Sequence, residues 1–364
     1  MKTLMRRVVL ILGFALWGMP LSGSSAASPE MVVGVMAPLS GALSEYGQAV
    51  RNGIDLAGRD FPEIASNCRF DFRDSQYFQP ESAVAHAHQL AAEGVRIIYN
   101  WGELTSSAVA PLADSLKVFM FAWTANPELS RQSSHLLRFQ SSATDYAQTL
   151  ANELRKAGYR RVGILHTDNA WNNLILAALE QVSSPDLTII KVAKFAPPDT
   201  EFGAAVEKLK GLQLDVVGVF LVAGQISYAY RALNDQNVGL PTFGTDFLDS
   251  MLEVWKAGPA MDGAFFAANR VSDPFTEKYR RAFGGDTQIS HSANGYEFAR
   301  FLCRDLPRKK PGFTPEEIFT LVEGLHGEGA LGPYRYVNTD GDRHINFPFF
   351  IRRIVGQSIV TDTE

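Results

Sequence analysis

Cysteine is scarce. The 364 residues contain two, Cys68 and Cys303. Two sulfurs cannot by themselves complete a tetrahedral metal site. Far apart in sequence, they are read as two buried thiols, with a disulfide left open. Long apolar runs are also missing. Val8–Trp17 is the longest that matters, well short of the roughly 20 residues that a membrane-spanning helix needs. Basic charge is not in excess: 34 Lys and Arg stand against 39 Asp and Glu, a formal net charge of -5. An acidic surface argues against nucleic acid and anionic membrane as partners. The motifs of common catalysts are absent, with no G-x-S-x-G elbow, Walker loop or H-E-x-x-H. His86 and His88 are two apart on a helical stretch and face different ways. No isolated carboxylate pair suggests glycoside chemistry. The expectation is a protein that is not an enzyme and uses no metal and no cofactor.

The N-terminus does carry a signal. Lys2, Arg6 and Arg7 precede the apolar run, and Ser22–Ala27 is small and polar, with Ser25 and Ala27 in A-x-A-like spacing. Residues 1–27 read as a secretory signal peptide, cut before Ser28. A membrane anchor would want a second charged flank, and none follows. No cysteine lies near the cut, so the mature end is not read as lipid-anchored. Removing the three basic residues takes the net charge from -5 to -8.

The body of the chain alternates. Apolar, β-rich runs fall at 31–36, 69–73, 95–99, 118–122, 161–166, 187–194, 215–222 and 241–244. Between them apolar residues recur with helical spacing, as at Tyr46, Val50, Gly53, Ile54 and Ala57. Alternating strands and helices predict an α/β fold with parallel sheets and helices on both faces. The runs form two sets, one ending near 122 and one starting at Arg161. The last third is predicted helical over 273–283, 289–307 and 315–324. It closes on "GPYRYVNTDGDRHINFPFFIRRIVGQSIV", a β-hairpin pattern with Asp340-Gly341 at the turn. Two Rossmann-like lobes follow, each with a parallel central sheet. Residues 28–142 and 271–334 would form the first, and 143–270 and 335–364 the second. A three-strand hinge is placed near 140–146, 268–272 and 333–337.

In doubly wound sheets ligands sit beyond the carboxyl ends of the strands. The segments there hold the candidate site residues. After the third run, Thr105, Ser106 and Ser107 are read as opening a helix, where hydroxyls and unpaired backbone N–H groups suit a carboxylate; plain helix capping is the alternative. Trp123, Thr124 and Asn126 follow the fourth run, with Asn126-Pro127 forcing a turn. Tyr46 and Trp171 lie in the first helical turns of the two lobes, at matching places that suggest two walls of one cleft. Gln225 sits at the turn after the 215–222 run. Asp246 lies directly beyond the 241–244 run, where an acid can hold an ammonium group or cap a helix.

The segments "VVGVMAPLSGALSEYGQAVRNGIDLA", "GELTSSAVAPLAD", "TANPELS", "VGILHTDNAWNN", "SANGYEFAR" and "GPYRYVNTDGDR" resemble the type I periplasmic binding proteins. Within them, the closest likeness is to the leucine/isoleucine/valine-binding receptors of ABC importers. The resemblance spans almost the whole mature chain, and its opening segment is the most specific. It implies a periplasmic monomer that captures a small amino acid between two lobes and hands it to a membrane permease. It further implies that Ser106, with Ser107 beside it, meets the ligand carboxylate, that the Trp123–Asn126 segment adds a hydroxyl from Thr124, and that Tyr46 is an aromatic wall. Asp246 would pair with the α-ammonium as the second lobe closes, bringing Trp171 over the side chain. Two departures stand out. "AWNN" replaces the family's usual Tyr-Gly, and "GQISY" lacks an aromatic common in that loop. They keep an aromatic or small aliphatic carboxylate open as the ligand. The fold that the resemblance implies also serves in sensors, so a sensing role stays open beside transport.

Overall fold

The computed structural model describes residues 31–285, 288–306 and 313–361; the expected signal peptide lies outside them. The first five strands are β1 (Met31–Ala37), β2 (Cys68–Asp74), β3 (Ile97–Trp101), β4 (Phe119–Trp123) and β5 (Leu136–Arg138). The next five are β6 (Arg161–Thr167), β7 (Thr188–Phe195), β8 (Val216–Phe220), β9 (Thr242–Gly244) and β10 (Phe265–Asn269). The chain then returns through β11 (His326–Gly329), β12 (Gly332–Thr339), β13 (Asp342–Asn346), β14 (Phe349–Val355) and β15 (Ser358–Thr361).

These make two sheets. One runs β11-β12-β13-β5-β4-β3-β1-β2, the other β15-β14-β10-β9-β8-β6-β7. Each contains the same parallel core order, second-first-third-fourth-fifth. The predicted α/β architecture with two Rossmann-like lobes is therefore what forms. The central strands explain themselves: Ile97–Trp101, Phe119–Trp123, Val216–Phe220 and Phe265–Asn269 are buried at every position. Strands covered by helices on both faces need continuous apolar runs rather than alternation.

Two glycines set the packing of the first lobe. The helix Ser44–Asp60 lies against the helix Ile289–Arg300. A Cβ on Gly53 would fall 1.8 Å from the Ser292 carbonyl oxygen, and one on Gly295 would fall 2.4 Å from that of Val50. Backbone meets backbone there, so the returning helix completes the first lobe. Cys68 and Cys303 pin the same return with a disulfide, Cα atoms 6.0 Å apart, in place of the two buried thiols read from sequence. In the chain-entropy view, closing so long a loop stabilises by about 2–5 kcal/mol.

The chain passes between the lobes three times, and the crossings are hydrogen-bonded to one another. Gln140 donates to Asn269 at 3.2 Å, and Asn269 donates to the Phe347 carbonyl at 2.8 Å. The Ser141 hydroxyl donates to that carbonyl and accepts from the Phe347 N–H. The third crossing corrects the prediction of 333–337. The Asp340-Gly341 hairpin forms as expected, but both its strands stay in the first sheet, because β13 pairs parallel with β5 at His344 and Arg138. Only after Phe347 does the chain enter the second sheet, as β14 beside β10. Residues 335–346 thus belong to the first lobe.

Candidate functional site

In each lobe the first strand is flanked by the second on one side and the third on the other, so the connections leaving the first and third strands diverge and open a crevice. Tyr46 follows β1 and Trp171 follows β6, at equivalent places. A cavity lies between the lobes here. Tyr46, Trp123, Thr124, Trp171 and Asp246, all expected from sequence, line it. The lobes are in contact across it: the Tyr46 and Phe247 rings meet edge to face at 6.0 Å, and Ser250 reaches Glu45 at 3.5 Å.

The other five expected residues lie elsewhere. The helix after β3 starts at Glu103, not at Thr105. Gly102 precedes it with φ of 98°, and a Cβ there would strike the Tyr77 ring at 2.5 Å. Starting the helix earlier carries Thr105 and Ser106 past its open end. The Thr105 hydroxyl donates to the Trp101 carbonyl at 2.7 Å, and Asn100 donates to Ser106 at 3.1 Å, all fully buried under the cavity wall. Ser107 donates to Glu103 at 3.2 Å. Asn126 caps the helix Pro127–Gln132 by accepting from the Glu128 N–H. Gln225 is buried, accepts from Thr167 and donates to the Ala196 and Asp199 carbonyls, so it fastens the connection after β7.

Sequence reasoning missed Tyr77, Trp101, Glu103, Gln140, Phe247 and His291, which also line the cavity. Glu103 was within reach: like Asp246, it is an acid just beyond a strand. His291 arrives on the returning helix, and no local signal marks it. The Trp101 indole N–H donates to His291 Nδ1 at 3.0 Å, and the rings of Tyr46 and His291 stand 5.0 Å apart. Burial pushes the His291 pKa down to about 3. The imidazole is neutral, and its accepting Nδ1 places the proton on Nε2.

The two acids differ. Glu103 is 4% exposed. It accepts from the Thr124 hydroxyl on one oxygen and from Ser107 on the other. Burial raises its pKa, and those hydroxyls oppose the rise. Asp246 is only partly buried by surface area, but its carboxyl is enclosed by the cleft. It accepts from the Trp171 indole N–H at 2.7 Å. Burial pushes its pKa up to about 7; the Trp171 bond opposes the shift and nearby Asp249 adds to it. Among the described residues no lysine or arginine lines the cavity. Among the described residues no group of His, Cys, Asp and Glu is placed to hold a metal ion, and no helix is long and apolar enough to cross a membrane.

Two α/β lobes of matching strand order, hinged by three crossings and enclosing an aromatic cavity, define a solute-binding receptor. Residues 30–358 match the periplasmic binding protein family, and the chain belongs to it. It is 25% identical over 359 residues to the Leu/Ile/Val-binding protein BraC3 of Rhizobium johnstonii, covering 93% of this chain and 94% of that one. Solved structures share the fold. A solute-binding protein from R. palustris in complex with benzoate has a TM-score of 0.79 at 18% identity, over 91% of this chain and 95% of that one. LivJ of Streptococcus pneumoniae, in complex with isoleucine, has a TM-score of 0.76 at 18% identity, over 91% and 99%.

Proposed function

We propose that this chain is the periplasmic receptor of an ABC importer. It closes its lobes over one small ammonium-bearing solute and releases it, chemically unchanged, to a membrane permease. The observation that carries this reading is Asp246, an acid held in an aromatic cleft by one indole N–H and lacking a cationic partner among the cavity's lining residues. An ammonium group would supply that partner, and only the closed form brings it against both lobes. Such differential contact is what lets a ligand drive closure. Amino acids, whether branched-chain, aliphatic or aromatic, are the ligand class that the Rhizobium relative's name and the isoleucine-bound neighbour suggest.

The benzoate-bound neighbour and the ring-rich lining favour a second reading, an aromatic or small aliphatic carboxylate. An acid beside the Thr124 hydroxyl weighs against it. Export is supported by the basic and apolar N-terminus, and a free mature end beginning at Ser28 is part of the proposal. The protein would act as a monomer.

Titration calorimetry of the purified protein against amino acids, amines and organic acids tests the reading. One ammonium-bearing solute should bind at one site per chain, and Asp246→Asn should remove that binding. A solute whose affinity ignores Asp246→Asn, or one recovered chemically altered, would sink it. Copurification with a histidine kinase instead of permease subunits would move the protein from transport to sensing.

A further inference from the structure

The first-lobe wall does not offer an anion what it needs. The Thr124 hydroxyl donates its proton to Glu103 and accepts from the Asn126 N–H. The Thr105 hydroxyl is turned onto the Trp101 carbonyl, and Ser106 is held beneath the wall by Asn100. His291 is neutral, with Trp101 donating to its Nδ1. The Arg138 guanidinium is fully buried behind Thr124. It is committed to Asp342 at 2.6 Å and to the carbonyls of Thr124 and Gln140. A carboxylate placed against this wall would meet Glu103, with no cation in the lining to offset the repulsion.

The same wall suits a cation. Glu103 from one lobe and Asp246 from the other face a cavity walled by the rings of Tyr46, Tyr77, Trp101 and Trp171. Aromatic faces attract ammonium groups, by about 0.5–2 kcal/mol per contact depending on desolvation. The Tyr46 hydroxyl, buried and without a hydrogen-bond partner, is a further polar group left for a ligand.

We infer that the solute is an organic amine without a free carboxylate: Asp246 and the rings take its ammonium group, and Glu103 stands where an α-carboxylate would otherwise dock. This rests on the proposed function and narrows its ligand class.

Two matched sets of probes test it: leucine, isoamylamine and 4-methylpentanoate, and phenylalanine, phenethylamine and 3-phenylpropionate. Within a set the hydrocarbon is shared and only the charges change. Binding is read by calorimetry and by fluorescence of Trp101, Trp123 and Trp171. At least one amine should bind about ten-fold or more tighter than its parent amino acid, a difference of roughly 1.4 kcal/mol, while the organic acids do not bind. Glu103→Gln, which keeps the shape and removes the charge, should bring amine and amino acid within about three-fold of each other, roughly 0.6 kcal/mol. Tighter binding of either amino acid than of its amine overturns the inference, as does binding of either organic acid, or a Glu103→Gln variant with an unchanged amine preference. Amino-acid binding that is tighter than that of the matching amine and disappears in Asp246→Asn would overturn it while leaving the proposed function intact. Silence from all the probes would overturn both.

Discussion

In the first lobe the acid at the cleft, Glu103, is met by two hydroxyls; in the second, Asp246 is met by one indole N–H. Both acids follow strands of equivalent parallel cores. The repeated topology sets where a side chain emerges, but not how it is solvated. Glu103 is fixed in a finished hydrogen-bond network and shapes the wall. Asp246 has fewer hydrogen-bond partners, and its raised pKa reflects the cost of keeping a buried carboxylate charged. In the proposed reading, an arriving ammonium group would remove that cost. Stored mismatch in one lobe and completed bonding in the other make the second lobe the responsive half.

The sharpest break of this comparison is at Asp246. Asp246→Ala should weaken an ammonium-bearing solute by about 2–5 kcal/mol, because a buried charge loses its partner. Calorimetry checks this, and a loss no larger than that of a surface substitution would make the second lobe a passive cover. The next largest effect belongs to the first lobe and to stability. Cys303→Ser removes the disulfide to Cys68 and should cost about 2–5 kcal/mol in denaturant unfolding, with the cleft chemistry untouched. Gly53→Ala should destabilise by about 1–3 kcal/mol, since its methyl group would meet the Ser292 carbonyl.

The pH dependence compares the lobes directly. With Asp246 at about 7 in the folded protein and 3.8 as its ordinary value, the folded chain keeps the proton between those pH values and the unfolded chain has lost it. Stability therefore falls as pH rises through that window. Asp246→Asn should raise the melting temperature of the ligand-free protein at pH 8 and leave it nearly unchanged at pH 4. The smallest effect is expected at Ser106. Ser106→Ala should cost about 1 kcal/mol of stability, through its lost bond with Asn100, and leave solute affinity as it was.

Much of the fold was legible because parallel strands covered on both sides must be continuously apolar, and Ile97–Trp101 or Val216–Phe220 show this without help. The Asp340-Gly341 turn was legible for a related reason: both residues adopt positive φ, at 52° and 81°, which Asp and Gly tolerate. What the hairpin pairs with was not legible, since β13 could join either sheet until β5 and the Arg138–Asp342 ion pair chose the first. At the site, the matching positions of Tyr46 and Trp171 were legible in the sequence, and the fold brings both to the cavity lining. Thr105 and Ser106 were expected to open a helix, but one glycine of positive φ lets the helix begin at Glu103.

By itself the sequence determined that two α/β lobes form, that their strand ends carry aromatics and acids, and that no catalytic motif joins them. These follow from local patterning, which each segment carries alone. Tertiary structure decided which acid has fewer hydrogen-bond partners, which hydroxyls remain free, and that Cys68 reaches Cys303. Those outcomes depend on neighbours that arrive from distant parts of the chain. Solvation, pairing and close approach are properties of the assembled cleft, and no single stretch of sequence contains them.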